Sequence, residues 1–194
     1  FPHVHIKVTN QTSIACASLL EHGQVDFIVV NYPNSALSST HIPRVINEFH
    51  DVFVANRQYF PLDGREVSLA SLQKYPILML DRKSTTSEFL HNLFLQHQLE
   101  LMPQIELSSN DLLIDLARIG LGIAFIPDYC LNRESRELFI VKIREKLPAR
   151  QMVAALRAVG ELVLAGEEVR ASFAVCAAVL PHVLLQQGAQ LAYA

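Results

Sequence analysis

The sequence predicts an α/β fold in two lobes, with mostly parallel sheets and helices on both faces. Three observations carry this. Short apolar runs alternate with stretches of helical period along most of the chain. Runs such as "VDFIVVN" and "PILML" are almost continuously apolar, as strands buried on both faces must be. The order of strand, hydroxyl-rich turn and helix begins again at "PILML", which marks a second unit.

The elements follow in turn. "HVHIKVT" alternates valine and isoleucine with polar residues and reads as a strand. "SIACASLLEHG" has helical spacing and stops at Gly23, a natural C-terminal cap. "VDFIVVN" is a buried strand, "YPNSALSST" is rich in turn formers, and "FHDVFVANRQY" reads as one further strand. "SLASLQKY" is a short helix stopped by Pro76, and "PILML" is the next buried strand. "TSEFLHNLFLQHQL" is a helix with Phe89, Leu90, Leu93 and Phe94 on one face. "PQIELS" is a strand. "NDLLIDLARIG" is a helix ending at Gly120, with Leu112, Leu113, Leu116 and Ile119 expected to face inward. "LGIAFIP", "LFIVKI" and "QMVAAL" are strands, and 159–180 reads as a final helix. The lobes are drawn as 1–76 with 144–194, and 77–143.

The chain has 194 residues, 51% of them hydrophobic, enough for a substantial core. Its formal charge is −3 and its Lys and Arg are scattered, which argues against this piece gripping nucleic acid by itself. Cys16, Cys130 and Cys176 are far apart in apolar surroundings and read as buried free thiols in a reducing, cytoplasmic compartment. The opening "FPHVHIKV" has no basic and apolar regions of a signal peptide. It starts on a strand, so a longer parent protein is expected. "ASFAVCAAVLPHVLL" is shorter than the roughly 20 residues of a membrane span.

No catalytic constellation is legible. There is no G-x-S-x-G elbow and no H-E-x-x-H or C-x-x-C spacing, so neither a catalytic residue, a metal nor a cofactor is expected. His3 and His5 alternate on one strand and read as an ordinary strand face rather than a metal pair. "GLGIAF" follows a helix and precedes a strand, the reverse of a dinucleotide fingerprint.

What stands out is hydroxyl groups at helix starts: Thr12 and Ser13, Ser84 to Ser87, and Ser108 with Ser109. Each can be a plain N-cap. Helix N-termini also carry unpaired N–H groups and the positive dipole end, so the same residues can hold an anion. Arg82 and Lys83 beside the Ser84 loop point the same way.

The run "SSNDLLIDLARIGLGIAFIPDY", with Gly120, Gly122 and Pro127, resembles the helix–GLGI–strand–P segment of the effector-binding domain of LysR-type transcriptional regulators. "LLEHGQVDFIVV" and "FPHVHIKV" are similar to two earlier elements of that family, in the same order and spacing. The resemblance covers about Phe1 to Leu156. It implies a two-lobed fold like that of periplasmic binding proteins, with a small effector between the lobes; the hydroxyls and nearby cations favour a small anion. It implies a homodimer or tetramer, with the helix at Asn110 and the strand "HIKVT" among the contacts. DNA would be bound only through a winged helix-turn-helix outside this chain. The family's first strand and following helix are expected to precede "FPHV". Family positions facing the effector match Ser13, Ser84, Thr85, Thr86, and Ser108 or Ser109, with Asn31 and Phe125 at strand ends. The tail from Ala158 to Ala194 departs from the pattern and is assigned no role. The competing reading is a free-standing solute-binding protein of a transport system.

Overall fold

The structure is a computed structural model that describes residues 7–39, 41, 43–131, 136–156 and 191–193. In chain order the strands and helices are β1 (Val8–Asn10), α1 (Ser13–Glu21), β2 (Phe27–Tyr32), β3 (Arg44–Phe49), β4 (Asp51–Asn56) and β5 (Glu66–Val67). Then come α2 (Leu69–Leu72), β6 (Ile77–Leu80), α3 (Thr85–Gln96), β7 (Ile105–Leu107), α4 (Asn110–Arg118) and β8 (Ile123–Pro127). A 3-10 turn at Asp128–Cys130 leads to β9 (Leu138–Ile140), β10 (Lys142–Ile143), β11 (Arg150–Leu156) and β12 (Leu191–Tyr193). The α/β class predicted from sequence is the observed one. The final helix expected over 159–180, Cys176 and the His3–His5 pair lie outside the described residues.

Two compact units divide the chain: Phe1–Glu48 with Gln151–Ala194, and Phe49–Arg150. The division falls at 48 and 150 rather than at 76 and 144. The reason is β4, which pairs with β8 and β9 and so brings 49–76 into the second unit. "FHDVFVANRQY" holds one whole strand, β4, and only the last residue of β3, a strand not expected from the sequence. Phe49 ends β3 in one sheet, and Asp51 opens β4 in the other.

In the first unit the sheet order is β1-β12-β2-β11-β3. Strand β2 runs antiparallel to β11, with Asn31 opposite Met152, and antiparallel to β12, with Val29 opposite Leu191. The tail therefore supplies a strand between β1 and β2 that the sequence did not reveal. Helix α1 buries Cys16, Ala17 and Leu20 against Ile28 and Val30 of β2 and Val153 and Ala155 of β11. Fully burying a leucine-sized side chain contributes roughly 1.5–3 kcal/mol. Strand β3 lies at the sheet edge, where Arg44 and Glu48 are exposed and discourage further strand pairing.

The second unit is a five-stranded sheet in the order β7-β6-β8-β4-β9. Strand β6 is parallel to β7 and β8, while β4 is antiparallel to β8 and β9. The strand period of two is visible in its cores. Ile77, Met79, Ile123, Phe125, Phe53 and Ala55 point to one face, with Leu90, Leu93 and Phe94 of α3. Leu78, Leu80, Ala124, Ile126 and Val54 point to the other, with Leu113, Ile114 and Ala117 of α4. Helices cover both faces, which explains the continuous apolar runs. The face of α3 is the one expected. That of α4 is rotated: Leu113, Ile114 and Ala117 are buried, whereas Leu112 and Ile119 are exposed. "LFIVKI" also splits, because β9 pairs with β4 and β10 turns away to pair with β5.

Gly120 closes α4 at φ +82°, with its N–H donating to Ala117 O (3.0 Å) and that of Leu121 to Leu116 O (3.1 Å). A Cβ there would run into the Tyr59 ring, and one at Gly122 would come within 2.7 Å of Pro76 O. The "GLG" of the sequence is thus a helix cap followed by a close approach of two backbones.

Candidate functional site

Strand β6 is buried along its whole length and delivers the chain to Asp81 beside the end of β7, where Asp81 N donates to Leu107 O (2.9 Å). A tight turn follows. Lys83 N donates to Asp81 Oδ1 (3.0 Å), and both the N–H and the hydroxyl of Ser84 donate to Asp81 O (3.1 Å each). Ser84 has extended backbone angles and its Oγ accepts from Ser87 N (3.1 Å), which makes it the N-cap of α3. One hydroxyl therefore does the capping. Thr85, Thr86 and Ser87 are the first residues of the helix proper and are all buried.

Their surroundings show what those hydroxyls meet. Thr86 Oγ1 accepts from Arg150 Nη1 at 3.4 Å. The same Nη1 donates to Asp51 Oδ2 at 2.7 Å. The guanidinium carbon lies 5.3 Å from the Phe49 ring centroid and 5.2 Å from that of Phe89, a cation–π contact with each. Phe89 stacks on Phe125 at 6.3 Å, and Phe125 packs on Phe53 at 4.6 Å. Arg150 is only 3% exposed, yet its Nε and Nη2 have no hydrogen-bond partner, nor does Thr85 Oγ1. Burial raises the Asp51 carboxyl above the usual carboxylate range, with Arg150 pulling it back down.

The remaining sequence candidates are distributed as follows. Ser13 and Asn31 belong to the first unit and touch each other: Asn31 N donates to Ser13 Oγ at 3.0 Å, and Asn34 Nδ2 donates to Ser13 O at 2.8 Å. Thr12, not Ser13, caps α1. Ser109 caps α4 by accepting from Leu112 N (3.3 Å), and Ser108 is exposed. Ser84 and Ser108 follow β6 and β7, whose ends pair at Leu80 and Leu107. Phe125 is fully buried in the core and reaches α3 through Phe89. Sequence reasoning missed Asp51, Arg150 and Phe49. Asp51 and Arg150 lie 99 positions apart, and each alone reads as an ordinary charge at a strand start. The available signal was that apolar runs begin at once after Asp51, in "VFVA", and one residue after Arg150, in "MVAA".

Burial pushes the Cys16 thiol up to about 11. The Cys130 thiol is also raised, by burial and then by Asp111, Asp51 and Asp128. Neither is a reactive thiolate near neutral pH. Among the described residues no group of three or more side chains is placed to hold a metal ion, and no helix is long and apolar enough to cross a membrane.

The family described as the LysR substrate binding domain matches residues 1–174. The chain belongs to that family. Solved structures similar to this LysR-type domain include the CcmR regulatory domain of Synechocystis PCC6803 in complex with 2-PG. That match has TM-score 0.68 and 22% identity over 76% of this chain and 71% of the other. The effector binding domain of QuiR in complex with shikimate matches at TM-score 0.66 and 13% identity, over 76% and 69%. The bromide-bound regulatory domain of HypT from Salmonella typhimurium matches at TM-score 0.60 and 19% identity, over 76% and 70%. The fold is that of LysR-type effector-binding domains.

Proposed function

We propose that this LysR-type domain senses a small anion, and that the start of α3 is the part of the second unit that binds it. One observation carries the reading. Thr85 and Thr86 are buried at the N-terminus of a 12-residue helix beyond what its cap requires, and Thr85 Oγ1 is left without a partner. The first-turn N–H groups and the dipole favour negative charge there. Relatives of the same fold were solved with shikimate, a carboxylate, and with bromide. Ser13 with Asn31, and Ser108 or Ser109 beyond the neighbouring strand end, are the further proposed contacts.

The domain does no chemistry in this account. The effector shifts a conformational equilibrium by binding one state more tightly. That shift reaches DNA through a winged helix-turn-helix elsewhere in the parent regulator, working in the cytoplasm. Self-association involves α4, where Leu112 and Ile119 are exposed seven residues apart on one side of the helix. Membership of the LysR family disfavours the transport-protein alternative.

Calorimetric titration with phosphate, sulfate, bromide and shikimate tests the site. Wild type should bind at least one saturably. Replacing Thr85 and Thr86 together by Val should weaken that binding by roughly tenfold or more, from two lost donors at about 0.5–1.5 kcal/mol each. Unchanged affinity in the folded double variant returns these residues to a purely structural role.

A further inference from the structure

Arg150 offers more than a partner for Asp51. A guanidinium has a side edge formed by Nε–H and one Nη–H, whose parallel donors match the two oxygens of a carboxylate or phosphate. The atoms of Arg150 without a partner are Nε and Nη2, the two that make that edge. Nη1, by contrast, is engaged by Asp51 at 2.7 Å and by Thr86 at 3.4 Å. The Phe49 and Phe89 ring centroids lie 5.3 and 5.2 Å from the guanidinium carbon. The guanidinium is therefore held by Asp51, Thr86 and two rings, with its recognition edge unused. Buried donors without acceptors are costly, and a native chain retains them where something else completes them. Thr86 ties this same guanidinium to the first turn of α3.

We propose that Arg150 is an effector-binding residue that grips the paired oxygens of a carboxylate, phosphate or sulfate group through Nε and Nη2, beside the N-terminus of α3. This deepens, and rests on, the anion-sensing reading above. Asp51 faces the same guanidinium and balances its charge. The grip thus depends on the direction of the N–H groups more than on net charge, and it favours anions with two coplanar oxygens over a spherical halide. The edge is closed to solvent in this structure, so binding includes a local opening around Arg150.

The test uses the 194-residue chain. In wild-type protein, the Arg150 Nε–H resonance and the backbone amides of Thr85 and Thr86 are followed by NMR during titration with phosphate, sulfate, shikimate and bromide. The expected result is that Arg150 Nε–H moves saturably with an oxyanion, with the same midpoint as the amides, and less with bromide. In parallel, Arg150→Lys keeps a cation for Asp51 but removes the fork. It should lose at least tenfold in oxyanion affinity and lose the preference over bromide. Saturable movement of the amides with a silent Arg150 Nε–H overturns this inference and leaves the anion site at α3 standing. Silence of both with every probe overturns both. An Arg150→Lys variant that binds like wild type also overturns it. If that variant does not fold, the wild-type resonance decides.

Discussion

Arg150 Nη1 lies 2.7 Å from Asp51 Oδ2, and both side chains are almost wholly buried. Asp51 opens β4 and Arg150 opens β11. The pair joins the two ends of the second unit, which begins at Phe49 and ends at Arg150. Removing one member leaves an uncompensated buried charge. Asp51→Ala should therefore destabilise the chain by about 3–5 kcal/mol, read by urea denaturation. Replacing both, Asp51→Leu with Arg150→Met, should recover most of that loss, because an apolar pair needs no hydration. A cost under about 1 kcal/mol for the single change would show that the pair is solvated in solution.

Thr85 separates function from stability. Its hydroxyl is buried without a partner, a state that costs about 1–3 kcal/mol. Thr85→Val keeps the shape and should raise the melting temperature of the ligand-free chain by about 2–4 °C for each kcal/mol recovered. It should at the same time weaken anion binding. Ser84→Ala behaves oppositely, losing the cap at a cost of about 1 kcal/mol. A Thr85→Val melt equal to or below wild type contradicts the orphaned-hydroxyl picture.

Much of this was legible from residue patterns. Buried runs such as "PILML" and "GIAFIP" are apolar at consecutive positions because α3 and α4 cover both faces of their sheet. Ser84 was legible as a cap because capping is a local interaction three residues long. The misreadings have physical causes. Strand β3 went unread because "RVINEF" is short and exposed at all but its last residue, with no buried apolar run to mark it. Helix α4 has more apolar residues than one buried face holds, so period alone did not choose between Leu112 and Ile114. The Asp51–Arg150 pair was invisible because its two halves meet only through tertiary structure.

Cys16 gives a pH dependence. Burial holds its thiol up at about 11 in the fold, against an ordinary value near 8.5 in the unfolded chain. The unfolded chain ionises first as pH rises. The contribution of Cys16 to stability is thus fully present below about pH 8.5 and lost as pH rises through about 11. Denaturation midpoints between pH 8 and 11 should fall less steeply in Cys16→Ala than in wild type. Parallel profiles would contradict the buried neutral thiol.

Leu112 and Ile119 test self-association. They are 48% and 60% exposed on α4. Replacing both by Arg should shift sedimentation toward a smaller species with little change in thermal stability, since neither packs in the core. An unchanged sedimentation profile, for a wild type that does associate, would exclude α4 from the contact.

Anion sensing at the start of α3 in this LysR-type domain has a decisive assay. Calorimetric titration of the whole chain with phosphate, sulfate, bromide and shikimate, wild type beside the Thr85→Val, Thr86→Val double variant, tests it most directly. Wild type should bind at least one anion saturably, and the folded double variant should lose roughly tenfold or more in affinity. No binding by wild type, or equal binding by both proteins, would contradict it.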